Sequence, residues 1–109
     1  MRKIIRGEGI DVHVLLDTSA DVCLYNGHSN VGPSQNRWIA LYAHAYKDNP
    51  KFIQYYLGHF TLWQNERDYI QELTFGEAKK FAHEHLDDMS PVEEALCAEY
   101  GLLDVDTLQ

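Results

Sequence analysis

The sequence predicts an α+β domain: an antiparallel sheet of three to five strands, an amphipathic helix across one face and a second short C-terminal helix. Three observations carry this. Two runs rich in aromatic and aliphatic residues, Arg37 to Tyr46 and Lys51 to Trp63, flank the turn signal Asp48-Asn49-Pro50. Two helix-start signatures follow, Thr74-Phe75-Gly76-Glu77 and Ser90-Pro91-Val92-Glu93. Hydrophobic residues make up 45% and charged residues 24% of 109 residues, a balance that buries a core in one domain. Residues 1–109 therefore read as a single domain, with about 1–9 and 104–109 expected to be flexible.

Each element has its own warrant. Val12, Val14 and Leu16 alternate with Asp11, His13 and Leu15, which predicts a short strand. Asp17 to Asp21 is a polar break, and Val22 to Tyr25 resumes the strand pattern before Asn26-Gly27. His28 to Asn36, with Gly32-Pro33 inside it, reads as a loop. The long hairpin has two unlike faces. Its even face carries Trp38, Ala40, Tyr42, His44 and Tyr46 opposite Phe52, Gln54, Tyr56 and Phe60. Its odd face carries Ile39, Leu41, Ala43 and Ala45 opposite Ile53, Tyr55, Leu57 and Thr61, which suits a packed helix. The aromatic face is expected either to cover a second layer of core or to meet a partner. Asn65 to Asp68 is a turn, and Tyr69 to Leu73 one more short strand.

The helix from about 75 to 87 sets Phe75, Ala78, Phe81, Ala82, His85 and Leu86 on one side. The second helix runs to about Tyr100 and stops at Gly101, with Val92, Ala95, Leu96 and Tyr100 as its apolar positions. Leu102 and Leu103 are expected to tuck against it.

Charge is distributed unevenly. All nine Lys and Arg precede residue 81, where they balance nine of the 17 Asp and Glu. Glu84, Asp87, Asp88, Glu93, Glu94, Glu99, Asp104 and Asp106 follow with no cation, so the net charge of −8 belongs to the last quarter. A one-signed segment of this kind favours basic proteins and disfavours nucleic acid. The basic residues Arg2, Lys3 and Arg6 are too few to read as a nucleic-acid surface. No apolar run is long enough to span a bilayer and no export signal follows the basic start, which makes the cytoplasm the default location. The two cysteines, Cys23 and Cys97, form no ligand or disulfide pattern.

Candidate chemistry centres on Leu15-Leu16-Asp17-Thr18-Ser19-Ala20-Asp21. It resembles the D-T-G-A-D loop of retroviral-type aspartic proteases, which implies a homodimer with Asp17 as the catalytic carboxylate. Ser19 stands where that family has glycine, and neither a glycine-rich flap nor the family's C-terminal signature is present. The structural alternative is a strand and a turn closed by Asp17 and Thr18. The six histidines do not assemble into a metal site by spacing: His44 and His59 fall on opposite hairpin faces, and His83 and His85 diverge on their helix. Cys23 is flanked by apolar residues and reads as structural, and Gly7-Glu8-Gly9 lacks the rest of a phosphate loop. No cofactor or metal is expected.

Asp17-Thr18-Ser19-Ala20, Leu41-Tyr42, Trp63-Gln64 and the run Glu77-Ala78-Lys79-Lys80-Phe81-Ala82-His83-Glu84-His85-Leu86 stand in a recognisable order. This order resembles an uncharacterised family of small bacterial proteins carried on phages, plasmids and integrated elements. The resemblance spans roughly residues 10 to 100 and implies a small α+β domain in a mobile-element setting. It implies no catalytic residues.

The expected function is that of a small acidic, non-enzymatic binding protein. Its expected form is a mobile-element inhibitor of a host nucleic-acid-processing complex, such as a CRISPR effector, that docks on a basic surface. The candidate contact residues are Glu84, Asp87, Asp88, Glu93, Glu94 and Glu99, with Trp38, Tyr42, Tyr46 and Tyr56 on the aromatic face. That face also suits a homodimer. The alternatives are the Asp17 protease and a structural domain without an external target.

Overall fold

The computed structural model describes residues 1–6, 13–27, 36–46 and 49–103. Alternating apolar side chains build six strands: β1 (Arg2–Arg6), β2 (His13–Asp17), β3 (Val22–Asn26), β4 (Arg37–Tyr46), β5 (Asn49–Thr61) and β6 (Tyr69–Leu73). Two helices follow, α1 (Phe75–Glu84) and α2 (Pro91–Glu99), joined through a 3-10 turn at Leu86–Asp88. Strands β3-β4-β5-β6 form an antiparallel meander, while β1 and β2 pair with each other as a separate ribbon. The chain is an α+β fold with a four-stranded sheet at its centre.

The central hairpin pairs in the register its patterning requires: Trp38 faces Phe60, Tyr42 faces Tyr56 and His44 faces Gln54. The ladder slips between Ala45, opposite Ile53, and Tyr46, opposite Asn49. Strand β5 thus begins inside the segment expected to be the turn, and residues 47 and 48 lie outside the described residues.

The sheet buries both faces. On one side Leu41, Ala43, Tyr55, Leu57 and Leu73 meet Ala78, Phe81 and Ala82 of α1 and Cys97 of α2. On the other, Ile5, Val14 and Leu16 of the ribbon pack on Ala40, Tyr42, Tyr56 and Ile70. The molecule is therefore layered as helices, sheet and ribbon, with the hairpin supplying the middle of both cores.

Both helices start as expected. Thr74 accepts from Glu77 N and the Glu77 carboxylate accepts from Thr74 N; Ser90 and Glu93 repeat the arrangement for α2. α2 stops in a Schellman turn: Gly101 N donates to Ala98 O at 3.0 Å and Leu102 N to Cys97 O at 2.9 Å. Gly101 has φ +78°, which is why glycine occupies that position. Gly27 is required for a different reason, since a Cβ there would lie 2.2 Å from the carbonyl oxygen of Ile39.

Several expectations are corrected. The loose N-terminus is not observed over Arg2–Arg6, which is strand β1. α1 ends at Glu84 rather than near 87, and Phe75 and Leu86 of its expected stripe are exposed. The buried residue of α2 is Cys97, while Val92 is 69% exposed and Ala95 also faces out. A short helix held by one strand contact buries only the residues above that contact, and Cys97 reaches Leu24 O through its thiol. The loop expected at 28–36 falls, apart from Asn36, outside the described residues, as do Gly7-Glu8-Gly9 and the tail from 104.

The ribbon is a core layer and not an appendage, and this predicts a contrast. Leu16→Ala, at a fully buried position, should lower unfolding free energy by about 2–5 kcal/mol. Ile4→Ala, 67% exposed on the outer face, should change it by no more than about 0.5 kcal/mol. Urea denaturation measures both, and equal losses would contradict the layering.

Candidate functional site

The segment singled out by sequence, Asp17 to Asp21, folds as a closed turn between β2 and β3. Asp17 Oδ1 accepts from Ser19 N at 2.9 Å, and its Oδ2 accepts from Arg2 Nε at 3.2 Å. The backbone of Ala20 and Asp21 donates to Asp17 O at 3.0 and 2.9 Å. Thr18 N donates to Met1 O at 3.0 Å, tying the turn to the start of the ribbon. The bond from Ser19, reinforced by the Arg2 guanidinium, holds the Asp17 carboxyl below its ordinary value of 3.8.

Asp21 occupies the centre of a network that the sequence did not reveal. Its Oδ2 accepts from Asp17 N at 2.9 Å and from the Tyr56 hydroxyl at 2.6 Å. Its Oδ1 accepts from His44 Nδ1 at 2.7 Å. Tyr56 is fully buried, and its ring stacks on Tyr42 at 5.2 Å and 13°. Burial, followed by the bond to Asp21, pushes the Tyr56 hydroxyl far above its ordinary value of 10. Burial pushes Tyr42 up to about 12. His44 and Tyr56 were both legible on the even hairpin face. Their convergence on Asp21 depends on where the β2–β3 turn lands, which no local pattern encodes.

A histidine oriented by a carboxylate resembles half of an acid–base relay, but the rest of such a relay is missing from the described residues. The neighbouring hydroxyl is Tyr56, which is enclosed and donates to the same carboxylate. Cys23 is half-buried, and burial followed by Glu93 raises its thiol; Cys97 is raised to about 11 for the same reasons. Neither is set up as a thiolate nucleophile. An aspartic dyad needs one carboxyl that retains a proton, whereas both oxygens of Asp17 are engaged by donors that favour the anion. Among the described residues, no cluster of three or more His, Cys, Asp or Glu gathers at metal-binding spacing. No buried side-chain polar atom there lacks a hydrogen-bond partner. The Asp21 network is a structural clamp.

The expected contact residues divide in two. Tyr56 is fully enclosed and Tyr42 nearly so, both beneath the ribbon, so these two are corrected from surface anchors to core residues. Trp38 is half-buried and stacks on Phe60 at 5.4 Å. Tyr46 is half-buried between His44 and Phe52, at ring separations of 6.0 and 6.5 Å. The aromatic face therefore reaches the surface only at its two ends.

The acidic set divides in the same way. Glu93 is corrected to a structural residue: its Oε1 accepts from Ser90 N at 2.9 Å and its Oε2 from Asn26 N at 2.7 Å, joining α2 to β3. Glu84 lies 4.0 Å from Lys80 one turn earlier. Asp87 and Asp88 are exposed on the 3-10 turn, and Glu94 and Glu99 are exposed on α2. Asp104 and Asp106 lie outside the described residues.

Comparison with protein-family models, with curated proteins and with solved structures returned no match.

The clamp predicts graded losses on denaturation. Tyr56→Phe removes one donor and should cost about 1 kcal/mol. Asp21→Ala strands the enclosed Tyr56 hydroxyl and should cost roughly 2–3 kcal/mol. A Tyr56→Phe loss as large as that of Asp21→Ala would place the value of the site in ring packing instead. Acid sensitivity follows from the depressed carboxyls. Folding lowers Asp17, Glu66 and Glu77 below ordinary values of 3.8, 4.5 and 4.5, through bonds from Ser19, Arg37 and Thr74 respectively. Their stabilisation is present above those values and is lost as pH falls through them towards the folded-state values. Thermal melts should thus drop on acidification from about pH 5, and Glu77→Gln, which keeps a capping oxygen, should flatten the drop.

Proposed function

We propose that the chain is a non-enzymatic protein-binding module whose helical layer offers an anionic surface to a basic partner. One observation carries the reading: Asp87, Glu94 and Glu99 are exposed and have no cationic partner among the described residues. They belong to a segment that holds no Lys or Arg from residue 81 onward. The other prominent acids are already committed, Asp17 and Asp21 to the turn and Glu93 to the α2 cap. Uncompensated surface carboxylates contribute little to folding, and they speed and orient association with a positively charged surface.

The finer form of the proposal is inhibition of a host nucleic-acid-processing complex by occupation of a groove that otherwise holds phosphates. It rests on the resemblance to mobile-element proteins together with the charge asymmetry. The enzyme alternative draws less support, because Asp17 serves its own turn through both carboxylate oxygens.

The test is a charge reversal restricted to residues without a structural task. Asp87→Lys, Glu94→Lys and Glu99→Lys together should leave the fold unchanged and abolish capture of the partner from host lysate. Binding by the parent chain should weaken as salt rises. Equal capture by the triple variant at low salt would refute the electrostatic contact. Glu93→Lys, by contrast, should lower stability through loss of the bonds to Ser90 and Asn26.

A further inference from the structure

The end of the sheet where β4 begins, β5 ends and β6 begins holds a cavity of about 470 Å³, a size that accommodates a small molecule. Its chemistry departs from that of the rest of the chain. The whole sequence has 17 acids to nine Lys and Arg, yet this cavity is lined by Arg37, Arg67 and His59 against one carboxylate, Glu66. Arg37 and Glu66 satisfy each other through two bonds, one from Nε to Oε1 at 2.8 Å and one from Nη2 to Oε2. Thr61 Oγ1 also donates to Glu66 Oε1 at 2.7 Å. That wall is fixed and close to neutral. Arg67 is exposed beside it and has no partner among the described residues.

The remaining wall is aromatic. His59 and Tyr69 stack at 4.2 Å and 5°, and His59 Nε2 is held by Gln71 Oε1 at 2.8 Å. Tyr69 is still 56% exposed, so much of its surface remains for another planar group. Trp38 and Phe60, stacked at 5.4 Å, also line the cavity. A stacking surface beside an uncommitted guanidinium recognises a flat ring that carries an anionic group. A polyanionic strand suits it poorly, because it would meet a protein of net charge −8.

We infer that this cavity is a binding site for a planar aromatic anion of mononucleotide size, with Tyr69 as the stacking surface and Arg67 as the anion contact. The site is separate from the anionic helical layer and does not depend on the function proposed for it.

Titration of the full chain with adenosine 5′-monophosphate, 4-hydroxybenzoate, adenosine and inorganic phosphate tests this, read by the indole resonance of Trp38. At least one of the two aromatic anions should give a saturable shift below about 1 mM. Adenosine and phosphate, each lacking one half of the ligand, should bind at least about tenfold more weakly than the aromatic anion that binds. A response to the monophosphate alone identifies the anionic group as phosphate, and a response to 4-hydroxybenzoate alone identifies it as carboxylate. Arg67→Ala and Tyr69→Ala should each weaken binding by about tenfold. Glu66→Gln, which removes the counter-charge of Arg37, should strengthen it. Absence of saturable binding by both aromatic anions, or affinity unchanged in Arg67→Ala, would overturn the assignment. Tighter binding of a single-stranded oligonucleotide than of the monophosphate would also overturn it.

Discussion

The Asp21 carboxylate is the point on which three elements of this fold depend. It accepts from the backbone at the end of β2, from His44 on β4 and from Tyr56 on β5. Each donor comes from a part of the chain with little reason of its own to lie near the others. Tyr56 is enclosed between the sheet and the ribbon, and a hydroxyl there without an acceptor would be costly. The acidic residue at the end of the D-T-S-A-D turn thus makes it possible for a tyrosine to fill the middle of the second core.

Once that contact is made, the layering follows. A two-stranded ribbon is marginal alone in water, and β1–β2 becomes stable by laying Ile5, Val14 and Leu16 over the aromatic side of the hairpin. Lys3 adds a 3.3 Å ion pair to Glu72 on β6, exposed and of small energetic weight. With the ribbon on one side and the helices on the other, β4 and β5 are shielded on both faces along their middles. What remains for external contact is the periphery: the outer helical surface, the ribbon's outer face and the sheet end around Tyr69. Function in such a molecule has to be sought at those margins, because the turn most suggestive of chemistry is consumed in holding the layers together.

Local patterns were informative wherever one element decided the outcome. The alternation along Arg37 to Tyr46 and through Lys51 to Thr61 specified both faces and the pairing of Tyr42 with Tyr56, since a one-residue slip would turn every side chain over. Thr74-x-x-Glu77, Ser90-x-x-Glu93 and Gly101 marked helix ends through bonds made within a few residues. Patterns were less informative where a distant segment supplied the other half. The aromatic face read equally well as partner surface or covered core, and the choice was made by β1, a segment expected to be loose. Glu93 looked like one surface acid among several, and its second bond is to Asn26, distant in the chain. The helical period of α2 favoured Val92, but the nearby strand β3 selects Cys97 instead.

The amino-acid order was sufficient for the fold class, the hairpin register, the helix caps and the concentration of negative charge in the last quarter. Each of these arises from interactions along a few neighbouring residues or from composition alone. The assembly of the three layers decided which tyrosines are core, which carboxylates are structural, and that Arg67 and Tyr69 share a cavity. Those outcomes turn on side chains far apart in the chain meeting in a desolvated space, where the energy of a polar group is set by its partners and not by its position in the sequence.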